Sequence, residues 1–147
     1  MKTLKDLMKE SELDLSTLVV FTKAEHTIHK KEYQTIKESG LTPAQFGVLE
    51  ALYSKGDLRI NELIEKILTT SGNITVVIKN LEKDGLVHRN VDPKDKRSCI
   101  ISLTNKGKQC IEAILPKHVS NISDIFKVLS DEEKIILKNL LKKFKGL

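Results

Sequence analysis

Residues Thr69–Leu103 read TTSGNITVVIKNLEKDGLVHRNVDPKDKRSCIISL, a short helix with two unlike faces followed by a hairpin with a basic tip. Ile74, Val77, Ile78 and Leu81 recur at i, i+3, i+4 and i+7, so one face of the helix is apolar and must pack on a core. The other face carries Asn73, Thr75, Val76, Lys79 and Asn80, short-armed and uncharged near its start and positive further along. Ser71 is placed as an N-cap whose oxygen accepts from an orphan N–H of the first turn, Gly72 permits a close backbone approach, and Gly85 ends the helix. Beyond it, Leu86–Val91 and Ser98–Leu103 are rich in β-branched residues and flank the turn Asp92–Arg97, which predicts strand, turn and returning strand. Lys94, Lys96 and Arg97 lie on the tip. Amide, hydroxyl and methyl groups on a helix suit base edges in a major groove, and a cationic finger beside them suits phosphates or a minor groove. This is the plan of a winged helix-turn-helix.

Upstream, Thr42, Pro43, Ala44 and Gln45 spell a capping box with proline at the first helical position. The helix that follows sets Phe46, Leu49, Leu52 and Tyr53 on one face and stops at Gly56. Asn61 to Leu68 predicts a short helix burying Leu63, Ile64 and Ile67, joined by a tight turn to the Ser71 helix, and Arg59 near its start is a candidate phosphate contact. A long helix is expected from about Leu13 to Ser39, with Leu18, Phe21, Ile28 and Ile36 at near-helical spacing. Before it, Leu4, Leu7 and Met8 read either as an apolar arm clasping another subunit or as a frayed tail. After the hairpin, Thr104 caps a helix carrying Ile111, Ile114, Leu115, Val119, Ile122, Ile125 and Phe126; the stripe continues past Pro116, so one helix kinked there is expected, with a break into two helices as the rival. Ser130 to Glu133 is a second capping box, opening a last helix with Ile136, Leu137, Leu140, Leu141 and Phe144 on one side and Lys142, Lys143 and Lys145 at its close.

The expected fold is thus mainly α with a small β-wing: residues 1–147 as a single domain, in which 41–103 form a winged helix-turn-helix lobe and 1–40 and 104–147 supply dimerisation helices. The terminal stripes exceed what the central lobe can cover, so they are expected to cover one another across a two-fold axis in a homodimer. The 147 residues suffice for a real core, and 39% hydrophobic content is ordinary for a soluble chain. A formal charge of +5 and an isoelectric point near 9.1 permit a nucleic-acid partner without requiring one. Cys99 and Cys110 lack the spacing of a zinc site or a disulfide framework. No leader-like segment and no run near the ~20 apolar residues of a membrane span is recognisable, so a cytoplasmic protein is expected.

Catalysis finds no footing in the residues, for no nucleophile-base pair, glycine-rich phosphate loop or carboxylate pair in an apolar setting is recognisable, and no cofactor is expected. His26 and His29, at i, i+3, and His118 invite a metal test. The later helix offers no closely spaced histidine pair, so no metal site is assigned.

Gly85, Leu86, Val87 and Arg89, then Asp92, Pro93, Asp95, Arg97 and Ser98, then Leu103, Thr104 and Gly107 resemble the wing pattern of the MarR family of bacterial transcription regulators. Ser71, Ile74, Thr75, Ile78, Leu81 and Glu82 fit that family's recognition helix, and Lys94 departs from it by standing where arginine is common. The resemblance runs nearly the whole chain. It implies a DNA-binding regulator, a repressor released by a small effector of phenolic, aromatic or quinone-like class, acting as a homodimer on a pseudo-palindromic double-stranded operator. DNA contacts are then expected from Arg59, Ser71, Asn73, Thr75, Val76, Lys79, Arg89, Lys94, Lys96 and Arg97, with Asp95 orienting Arg97. Phe21, His29, Phe46 and Tyr53 are the candidate effector-binding residues, with core packing as the other role open to them. Two alternatives stay beside this reading: a winged-helix protein-interaction module without DNA binding, and a zinc-responsive regulator.

Overall fold

The computed structural model describes residues 1–67 and 71–147, and of residues 71 and 72 the backbone alone. In chain order the elements are α1 (Leu4–Glu10), α2 (Glu12–Glu38), α3 (Pro43–Lys55), β1 (Leu58–Arg59), α4 (Ile60–Ile67), α5 (Ser71–Lys83), β2 (Val87–Val91), β3 (Cys99–Leu103), α6 (Asn105–Phe126) and α7 (Asp131–Lys142). The fold is mainly helical with a small three-stranded antiparallel sheet ordered β1-β3-β2. The chain forms two compact units, Thr35–Ile122, and Met1–Gln34 together with Ser123–Leu147.

In the first of these units the core collects Phe46, Val48, Leu49 and Leu52 from α3, Leu63 from α4, and Ile74, Val77, Ile78 and Leu81 from α5. Leu58, Leu86, Val87 and Ile101 join from the sheet region, with Ile36 from the end of α2 and Ile111 from α6. Local signals place these elements. Thr42 and Gln45 cap α3 reciprocally, at 3.1 and 3.0 Å. At the end of α5, Gly85 has φ +74°, Leu86 N–H donates to Leu81 O and Gly85 N–H to Glu82 O, the paired bonds of a Schellman stop. That stop explains why β2 begins at Val87, one residue later than expected. Ser98 N–H likewise turns back to Asp95 O, so β3 begins at Cys99.

Two further features differ from the sequence reading. The two-residue strand β1, whose Leu58 and Arg59 pair with Ile101 and Ile100, is too short to leave a period-two pattern. Tyr53 is 40% exposed, so the apolar face of α3 ends at Leu52. As expected, Pro116 lies inside a single helix, α6, which runs on to Phe126. Leu68, the tight turn before α5, and the capping role given to Ser71 lie outside the described residues and side chains.

The second unit holds α1, α2 as far as Gln34, the end of α6, and α7. Capping boxes at Thr3 with Asp6 and at Ser130 with Glu133 start α1 and α7. Those boxes hold the Asp6 and Glu133 carboxyls below their ordinary range, because Thr3 and Ser130 donate to them. No residue of this unit is buried. Leu18, Val19, Val20, Phe21, Ile136 and Phe144 are each at least 47% exposed, so its amphipathic helices lack a core of their own.

Candidate nucleic-acid interface

α5 has the division of faces that the sequence predicts. Ile74, Val77, Ile78 and Leu81 are buried, while Asn73, Thr75, Val76, Lys79 and Asn80 are exposed. At about 100° per residue, Val76 and Lys79 stand closest to the direction opposite the buried stripe. The helix therefore presents a methyl-bearing and a cationic side chain at its crest, flanked by amides and a hydroxyl. These are the groups that read base edges.

Beside it, β2 and β3 pair from Val87–Leu103 to Val91–Cys99, and residues 92–98 form the wing tip. Asp92 N–H donates to Ser98 O and closes the hairpin; Asp95 N–H then donates to Asp92 O within it. Lys94, Lys96 and Arg97 are exposed on the tip. Asp95 acts differently from the role expected of it: its Oδ1 accepts from the backbone N–H of Arg97 at 3.0 Å, shaping the turn rather than holding the guanidinium. A two-residue spacing around a turn favours that main-chain bond over a long side-chain reach.

The wing's carboxylate–arginine pair lies elsewhere. Arg59 Nε donates to Asp92 Oδ2 at 2.7 Å, and Lys94 N–H donates to Asp92 Oδ1 at 2.9 Å. Asp92 is 1% exposed, yet its carboxyl sits below the ordinary value of 3.8, chiefly because Lys94 N–H bonds it, with burial opposing and Arg59 assisting. In the sequence Asp92 reads as a turn residue only, because its partner Arg59 lies 33 positions away. Arg89, a candidate DNA contact, has its Nη2 3.9 Å from Glu82 Oε1 at the end of α5. It shares the core-facing parity of Val87, which aims it back over that helix.

The candidate effector residues are divided between the two units. Phe46 is buried, its ring 4.5 Å from that of His118, whose Nδ1 is 3.1 Å from Thr35 Oγ1. Tyr53 donates its hydroxyl to Glu112 Oε1 at 3.1 Å, and that carboxylate pushes the phenol's ionisation upward. Phe21 and His29 belong to the other unit, where both are exposed and His29 lies 3.5 Å from Glu32. Among the described residues, no three His, Cys, Asp or Glu side chains come together as a metal-holding group. No helix among them is long and apolar enough to cross a membrane.

The model of the MarR family matches residues 41–99, from the capping box of α3 to the start of β3. YkoM of Bacillus subtilis, an uncharacterised helix-turn-helix regulator, is 38% identical over 135 residues, covering 92% of this chain and 88% of its own length. The chain belongs to the MarR family. The transcriptional regulator MhqR of Bacillus subtilis is 35% identical over 133 residues, covering 90% of this chain and 92% of the relative. Among solved structures, that of BpsR of Bordetella bronchiseptica, whose DNA binding is regulated by 6-hydroxynicotinic acid, superposes with a TM-score of 0.77 at 26% identity. It covers 87% of this chain and 91% of that one. Membership makes the protein a winged helix-turn-helix transcription regulator, with α4 and α5 as the helix pair and β2–β3 as the wing.

Proposed function

We propose that this MarR-family protein is a homodimeric cytoplasmic repressor that reads a pseudo-palindromic operator and is released by a small aromatic effector. The observation that carries the DNA-reading part is the division of α5, whose four apolar residues are buried while Asn73, Thr75, Val76 and Lys79 face out. Base choice is assigned to those four and to Ser71; phosphate and minor-groove contacts are assigned to Lys94, Lys96, Arg97 and Arg89, and to the exposed part of Arg59. The absence of any buried residue in the unit made by the two chain ends supports the dimer, because amphipathic helices without a core need a second apolar surface. The effector class is supported by BpsR and its 6-hydroxynicotinic acid.

The test is titration of duplex DNA at several salt concentrations. Each phosphate neutralised contributes a slope of about −0.9 in log K against log salt, so several contacts predict a steep fall. Flat, weak binding at every salt concentration would contradict DNA reading and leave a protein-interaction module as the account.

A further inference from the structure

Arg59, Ile100 and Asn90 occupy one row across the sheet, since Ile100 pairs with Arg59 on one side and Asn90 on the other. Directly opposed residues point to the same face, so the Arg59 side chain crosses β3 toward the end of β2. Asp92 lies there, two residues beyond Asn90. Its carboxylate is withdrawn from water, and each oxygen has a partner: Lys94 N–H from the wing turn and Arg59 Nε from the strand that leads into α4. Arg59 is tied to α4 as well, because its N–H donates to Glu62 Oε1 at 3.1 Å. One residue therefore touches both the first helix of the pair and the base of the wing. Removing Arg59 would leave the buried Asp92 carboxylate without its cation, which favours keeping this geometry.

We propose that Arg59 and Asp92 are positioning residues: the pair locks the wing turn to the start of α4 and so sets where Lys94, Lys96 and Arg97 meet DNA relative to α5. This rests on the DNA-reading role above, and it makes the pair a determinant of discrimination rather than of attraction. Nε is the atom engaged, while the Arg59 side chain remains 44% exposed, so the residue keeps its positive field at the surface. Lysine at this position would keep the charge and lose the planar fork. Asparagine at 92 would keep an acceptor for Lys94 N–H and place an amide donor or a neutral oxygen before Arg59.

The experiment compares wild type, Arg59→Lys, Arg59→Ala, Asp92→Asn and the double variant Arg59→Lys/Asp92→Asn. It uses a selected operator and a random duplex at two salt concentrations, with thermal melts and hydrogen exchange of the Lys94 amide measured without DNA. The expected result is that Arg59→Lys and Asp92→Asn each lower the operator-to-random affinity ratio roughly tenfold with an unchanged salt slope, the double variant losing no more than either single one. Lys94 exchange should quicken about tenfold in both. Full discrimination by Arg59→Lys, with Arg59→Ala weakening both DNAs equally and flattening the slope by one contact, would overturn the proposal and leave Arg59 a phosphate contact with no positioning role. Loss of both DNAs together with the melting transition would overturn it too, as a plain requirement for folding. Should wild type fail to discriminate DNA, the functional reading falls separately, and the lock stands or falls on the Lys94 amide: faster exchange supports it and unchanged exchange overturns it.

Discussion

At Gly107 a Cβ would lie 1.9 Å from Leu86 O, a backbone atom fixed by its bond from Thr104 N–H. Alanine in a helix interior ordinarily gains about 1 kcal/mol over glycine. Here the clash is with main chain and has no flexible side chain to absorb it, so overpacking of about 3 kcal/mol or more decides the sign. Gly107→Ala is therefore expected to lower the urea midpoint by an amount equivalent to about 2 kcal/mol, measured by circular dichroism. Asp92 gives a second prediction. Its carboxyl is held below its ordinary 3.8, first by Lys94 N–H, so ionised Asp92 stabilises the folded state. That contribution is fully present above the ordinary value and is lost as pH falls through the lowered folded value. The wild type's stability advantage over Asp92→Asn should hold at neutral pH and shrink below about pH 4, read from urea midpoints across the range.

Among the elements, α5 and the wing divide the work. Thr75 and Lys79 are exposed on the face opposite the core, so Thr75→Ala or Lys79→Ala should leave the melting temperature nearly unchanged. Each should still cost ~1–3 kcal/mol at the base pair it reads. In the wing, Asp95 holds Arg97 by its main chain, so Asp95→Ala loosens the turn while making it more positive. Operator affinity should fall while random duplex is bound as well as before or better; paired titrations check this. Much of this layout was legible because it is local: apolar spacing gave the α5 faces, and Thr42–Gln45 and Ser130–Glu133 gave helix starts. The Arg59–Asp92 bond, the Arg89–Glu82 approach and the meeting of Thr35, Phe46 and His118 join distant positions, which no spacing rule reaches. β1 was illegible for another reason, since two residues carry no periodicity. Tyr53 misled because an aromatic ring fits an apolar stripe, whereas its hydroxyl finds Glu112 at the surface.

For the whole molecule the deciding fact is the unit made of the two chain ends, in which no side chain is buried. Exposed residues such as Leu18, Phe21, Ile136 and Phe144 offer the apolar surface that the proposed dimer would cover. Sedimentation should give the dimer mass, and deletion from Ser130 onward should give aggregates or an unfolded chain; a well-behaved monomer that binds a half-site would contradict the dimer. In the proposed dimer two copies of α5 would read DNA together, with half-site centres ~10 bp apart. The most direct test of that account is selection of duplexes from a random pool by wild type and by a Thr75→Ala/Lys79→Ala variant, followed by sequencing. Wild type is expected to enrich a pseudo-palindrome with that spacing, and the variant to lose preference symmetrically at a few positions in each half-site. Enrichment of no sequence, or of the same sequence with the same strength by both proteins, would contradict it.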